Sequence, residues 1–189
     1  MRIFSIAGGN VTETDQLEGL ARAPAGEPAY LWIACARREF EVLQTQIQSA
    51  LHGLTGTTLV DLHVADLLNN QLPSHYDYTS QYDVLVFRRL AAGQTETDLS
   101  RPGQPLSHLS ARGGPPILRR IDTSPVGFAV FDHVLLTVHP TDCAVRDAYA
   151  AKLLASVSAE SRAAGARLPS GPADLMLRMA NHMVDSYLA

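Results

Sequence analysis

Apolar residues fall into runs of strand length, separated by stretches in which they recur at helical spacing. Arg2 to Ile6 reads as a short first strand. Gly8 to Pro28, mostly small or polar, reads as loop with at most one helical turn. Tyr30-Leu31-Trp32-Ile33-Ala34-Cys35 is continuously apolar, as expected of a strand covered on both faces. From Arg37 the period changes. Phe40, Leu43, Ile47, Ala50, Leu51 and Leu54 predict a helix that Gly53 and Gly56 stop, with Glu39 and Glu41 near its positive end.

A second helix is expected from Leu59 to about Asn70, capped by Thr57 or Thr58 and ended by Pro73. Val60, Val64 and Leu67 share one stripe of it, and Leu59, Leu62, His63, Asp66 and Asn70 the other. Tyr76 to Leu90 reads as one long strand or as two separated near Ser80. Ala91 to Pro116, rich in Gly, Pro, Ser and Thr, is long for a connection, and such segments are usually functional or mobile. Pro125 to Phe131 and Val134 to His139 form a predicted hairpin around Asp132-His133.

After Pro140, Thr141 can cap a helix carrying Val145, Tyr149, Leu153 and Val157. The last helix starts at Pro172 with Asp174 in its first turn. Leu175, Met176, Met179, Met183, Val184 and Tyr187 give it a broad apolar face. No stop signal precedes Ala189, so a truncated helix is expected, with an amphipathic terminal helix as the alternative.

With 189 residues the chain is expected to form one domain over residues 1–189, able to bury about 70% of its extended surface without disulfides. A composition 46% hydrophobic and 18% charged excludes global disorder. The net charge of −4 argues against a nucleic-acid partner. Cys35 and Cys143 show no metal or redox spacing and fit a reducing compartment. No secretory signal is visible at the N-terminus. No apolar run reaches the roughly 18 residues of a membrane span, since Asp132 and His133 break the best stretch, from Val126 to Val138.

Signatures of acyl transfer, P-loops and dinucleotide binding are absent, and Gly8-Gly9 and Gly113-Gly114 read as loop glycines. None of the seven histidines forms His-x-x-x-His, and His133 and His139 read as polar ends of the hairpin. Asn181, His182 and Asp185 share a helix surface, read as a solvated or subunit-facing stripe. The acid singled out is Asp66, with His63 one turn before it and Asn70 one turn after. One carboxylate cannot hold Mg²⁺ tightly without water or a second acid, so this is at most half a site, and a solvated acidic face is the plainer reading.

The run Leu59-Val60-Asp61-Leu62-His63-Val64-Ala65-Asp66-Leu67-Leu68-Asn69, then Pro73-Ser74-His75-Tyr76-Asp77-Tyr78 and Tyr82-Asp83-Val84-Leu85-Val86-Phe87, resembles the cytoplasmic domain of CorA-type divalent-metal transporters. That group includes the ZntB zinc transporters. Tyr30-Leu31-Trp32-Ile33 is similar to the family's early Trp-Ile strand, and Val126 to Val138 to its paired late strands. Ala173-Asp174-Leu175-Met176 through Val184-Asp185-Ser186-Tyr187 is similar to its later helix. Together these cover about Tyr30 to Ala189. Pro73-Ser74-His75 stands where the family has an Arg-Pro-Lys turn, and the Ala91 to Pro116 segment is enlarged.

The resemblance implies an α/β/α sandwich with a mixed central sheet, on the cytosolic side of the inner membrane in a homopentamer. Residues 171–189 would begin a helix leading toward membrane segments beyond this chain. It implies a regulatory domain and no catalysis, with Mg²⁺ or Zn²⁺ as the transported and regulatory ion. Asp66 would be an inter-subunit metal ligand facing an acid of the next subunit, an acid expected on a later helix absent from this chain. Two other classes stay open: a cytosolic metal-dependent enzyme using His63, Asp66 and residues from Ala91 to Pro116, and a soluble interaction module.

Overall fold

The apolar run at Tyr30 becomes an inner strand of a seven-stranded sheet, as its two-sided hydrophobicity requires. The computed structural model describes residues 1–20, 29–90, 123–140 and 144–188. In chain order the elements are β1 (Arg2–Ala7), β2 (Asn10–Thr14), β3 (Ala29–Ala36), α1 (Arg37–Val42), α2 (Gln44–Thr55), α3 (Asp61–Leu68), β4 (His75–Tyr78) and β5 (Asp83–Leu90). They continue as β6 (Thr123–Val130), β7 (Val134–His139), α4 (Ala144–Ala155), α5 (Ala159–Ala163) and α6 (Pro172–Leu188).

The sheet order is β2-β1-β3-β7-β6-β5-β4. Only β3 and β7 run parallel, pairing Leu31 with Val134 through Ala36 with His139, and every other neighbouring pair is antiparallel. Alternation along the strands sends side chains into two separate cores. Ile33, Cys35, Val84, Leu136 and Val138 pack with Phe40, Ile47, Leu51, Val64 and Leu67 under α1 to α3. Phe4, Trp32, Phe128 and Leu135 pack on the other face with Tyr149, Leu153, Leu175, Met179 and Met183 of α4 and α6. The architecture is the α/β/α sandwich with a mixed sheet.

Several local expectations change. Asn10–Thr14, read as loop, is an edge strand paired with β1 from Ile3–Thr14 to Ala7–Asn10; its side chains are mostly exposed, so no alternation marks it. The first helix breaks at Leu43 into α1 and α2. It ends at Gly56 in the left-handed conformation (φ 78°), and Gly53 lies inside it. Neither Thr57 nor Thr58 caps α3. Its start is fixed from outside: the Gln48 side chain donates from Nε2 to Leu59 O (2.8 Å) and accepts Leu59 N–H at Oε1 (2.8 Å), while Val60 N–H donates to the Tyr82 hydroxyl (2.9 Å).

His139, read as a polar strand end, is fully buried, with Nε2 2.7 Å from Thr137 Oγ1; that hydroxyl also accepts Trp32 Nε1–H (2.9 Å). His133 is exposed at the turn, as expected. Tyr76 to Leu90 resolves into two strands, β4 and β5. The terminal helix buries Leu175, Met179 and Met183, although Val184 is exposed. Val157 lies past the end of α4. The Ala91 to Pro116 segment, Thr141 and Cys143 lie outside the described residues. Among the described residues, no helix is long and apolar enough to cross a membrane.

Candidate functional site at the contact of α3 and β4

Helix α3 lies close over the sheet at Gly127, where β6 offers no side chain beneath Leu67. A Cβ on Gly127 would stand 2.4 Å from Leu67 Cδ2. The carbonyl end of the helix is met by two arginines, which suits the negative end of its dipole. Arg37 donates from Nε to Leu67 O (3.4 Å) and from Nη2 to Pro125 O (2.6 Å). Arg88 donates to Leu72 O and Asn70 O (both 2.7 Å). Burial, and then the charge of Arg88, lower the pKa of Arg37.

Strand β4 is an edge strand paired on one side with β5, His75 opposite Val86 and Asp77 opposite Val84. By alternation His75 and Asp77 face α3, and Tyr76 and Tyr78 point away. The two tyrosines are exposed and stacked, with ring centroids 6.0 Å apart. Helix and strand thus each bring one histidine and one aspartate to the contact, in crossed arrangement: His63 meets Asp77, and Asp66 meets His75.

The first pair is closed. His63 is 2% exposed, and both ring nitrogens are used: Nδ1 lies 2.9 Å from the Tyr82 hydroxyl and Nε2 3.1 Å from Asp77 Oδ2. The Tyr82 oxygen already accepts Val60 N–H, so its proton goes to His63 Nδ1 and the ring donates from Nε2 to Asp77. That hydrogen bond, with another from Tyr78 N–H, holds the Asp77 carboxyl below its usual range. Burial raises the Tyr82 phenol. The expected stripe is therefore revised: His63 sits on the core side with Val64 and Leu67, while Val60 and Leu62 are exposed.

The second pair is open. Asp66 Oδ2 stands 3.4 Å from His75 Nε2, and both side chains are partly exposed, at 18% and 28%. No hydrogen bond joins them; His75 Nδ1 instead lies 3.3 Å from Pro73 O. Of the group expected around Asp66, His63 is turned to Tyr82, and Asn70 is exposed and takes a bond from Gln71 Nε2. Sequence spacing missed His75 as the neighbour, since it lies across a turn rather than along the helix. Among the described residues, no group of three or more His, Cys, Asp or Glu converges to hold a metal ion. The pair supplies two donors.

Elsewhere, Asn181 and Asp185 are exposed on α6, and His182 meets the Tyr149 ring edge-on, with centroids 6.0 Å apart. A shallow cleft of about 300 Å³ at the start of α6 is lined by Asp83, Asp132 and Asp174. Asp174 is taken by Arg178 and by the Ser170 backbone N–H and hydroxyl, and Asp83 accepts the Tyr76 hydroxyl (3.1 Å).

No protein-family model and no curated protein matches the chain. Solved structures do. Full-length CmaX aligns over 99% of this chain with a TM-score of 0.59 at 14% identity. The ZntB cytoplasmic domain from Vibrio parahaemolyticus RIMD 2210633 aligns over all of it with a TM-score of 0.52 at 13% identity. The chain shares the fold of a ZntB cytoplasmic domain. It spans 46% of the CmaX chain and 60% of the ZntB domain, so it corresponds to about half of each.

Proposed function

We propose that the chain is the regulatory, non-catalytic domain of a CorA-like divalent-cation transporter, lying on the cytosolic side of the membrane. The observation that carries this reading is the agreement of fold along the whole chain with the ZntB cytoplasmic domain. The order of motifs from Tyr30 to Ala189 supports it independently. On this reading the gene continues beyond the Ala189 codon into apolar segments of about 20 residues, and the protein assembles as a homopentamer.

Asp66 then serves as a regulatory ligand between subunits. Facing carboxylates repel, a divalent ion between them converts repulsion into attraction, and loss of the ion lets the subunits separate. The partly exposed position of Asp66, on a helix held at both ends, supports that role. Limited proteolysis of the native gene product, with and without Mg²⁺ or Zn²⁺, tests it. Cation protection that weakens in Asp66→Ala is expected; protection unchanged in that variant removes Asp66 from the role.

A further inference from the structure

We infer that Asp66 and His75 together form an open seat for a borderline transition-metal ion such as Zn²⁺, in preference to Mg²⁺. The inference rests on the reading of Asp66 as a cation ligand and adds the second ligand and the class of metal. A carbonyl oxygen can only accept, so the contact of His75 Nδ1 with Pro73 O places the ring proton on Nδ1. When the ring is neutral Nε2 keeps its lone pair, the tautomer in which histidine binds metals, fixed by a backbone carbonyl as is usual for such ligands.

In the neutral ring that lone pair faces Asp66 Oδ2 at 3.4 Å. A cation relieves their repulsion: either a proton on Nε2, which makes the contact an ion pair, or a metal ion in the proton's place. The separation suits one: nitrogen and oxygen ligands each about 2.0–2.1 Å from a tetrahedral Zn²⁺ stand roughly 3.4 Å apart. Imidazole with carboxylate favours Zn²⁺, Co²⁺ or Ni²⁺, whereas Mg²⁺ prefers oxygen ligands alone. His63 cannot join, because Tyr82 and Asp77 occupy both of its nitrogens. The partial exposure of both ligands leaves room for water to complete the coordination shell.

Calorimetric titration of the full chain with ZnCl₂ and with MgCl₂, in wild type, His75→Gln and Asp66→Asn, tests the inference. Zn²⁺ is expected to bind more tightly than Mg²⁺, and each substitution to weaken Zn²⁺ binding about tenfold or more. As a second readout, Zn²⁺ should raise the unfolding midpoint of the wild type and leave that of His75→Asn unchanged. Zn²⁺ binding unaffected by His75→Gln overturns the inference. If Asp66→Asn nevertheless abolishes Mg²⁺ binding, the regulatory reading of Asp66 survives and only the second ligand and the metal class fail. The regulatory reading of Asp66 falls separately, if cation protection of the native gene product is unchanged in Asp66→Ala.

Discussion

Two histidine–aspartate pairs, one helical turn apart on α3, use the same side chains to opposite ends. In the His63–Asp77 pair every polar atom of the imidazole is matched, and the ring is buried edge-on against Tyr82. In the Asp66–His75 pair the groups stand 3.4 Å apart, too loosely placed for a hydrogen bond, and stay partly in solvent. The difference lies in the third partner. Tyr82 closes the first pair from the core, whereas Pro73 O takes His75 Nδ1 and leaves Nε2 to face the acid. A satisfied buried pair holds architecture together; an unsatisfied exposed pair is available for a ligand.

Substitutions in the two pairs should therefore separate stability from binding. His63→Ala carries the largest expected cost, about 2–4 kcal/mol in urea unfolding, since it opens a cavity and strands the Tyr82 hydroxyl. Gly127→Ala should cost about 1–3 kcal/mol by the same measurement, because its methyl must displace Leu67 and lift α3 together with Asp66. Tyr82→Phe should cost about 1–2 kcal/mol, leaving Val60 N–H without its acceptor. His75→Gln and Asp66→Asn should change stability by less than about 0.5 kcal/mol in EDTA. A large loss there would make the open pair a structural one and erase the contrast.

The smallest effect is in pH dependence. The Asp77 carboxyl is held below its usual range by the His63 hydrogen bond, so its stabilising contribution is present above the unfolded-state value near 4 and is lost as pH falls through the folded-state value. Wild type should exceed Asp77→Asn in stability at pH 6, and the gap should narrow below about pH 4. A gap constant with pH would show that ionised Asp77 contributes nothing to the closed pair.

Much of this architecture is legible in the sequence wherever burial is two-sided or strictly periodic. The β3 run, the β6–β7 hairpin and the apolar face of α6 carry their own signals. Strand β2 carries none, because an edge strand of polar residues owes its existence to the backbone of β1. The start of α3 is equally opaque: its anchors, Gln48 and Tyr82, lie 11 and 22 residues away from the groups they hold. The site was half visible. Asp66 stands out as the acid in a recognisable stretch, but helical spacing assigns it His63, and only the turn after α3 brings His75 to it. His139 misleads for a related reason, since the Thr137 hydroxyl that meets its Nε2 sits two residues back on the same strand, in the core.

The central claim is that the gap between Asp66 and His75 is a place for a metal ion. Diffraction from Zn²⁺-grown crystals at the zinc absorption edge tests this most directly. An anomalous peak is expected about 2.0–2.2 Å from both Asp66 Oδ2 and His75 Nε2. A protein crystallised with Zn²⁺ that shows no peak there, with His75 Nε2 donating straight to the carboxylate, would contradict it.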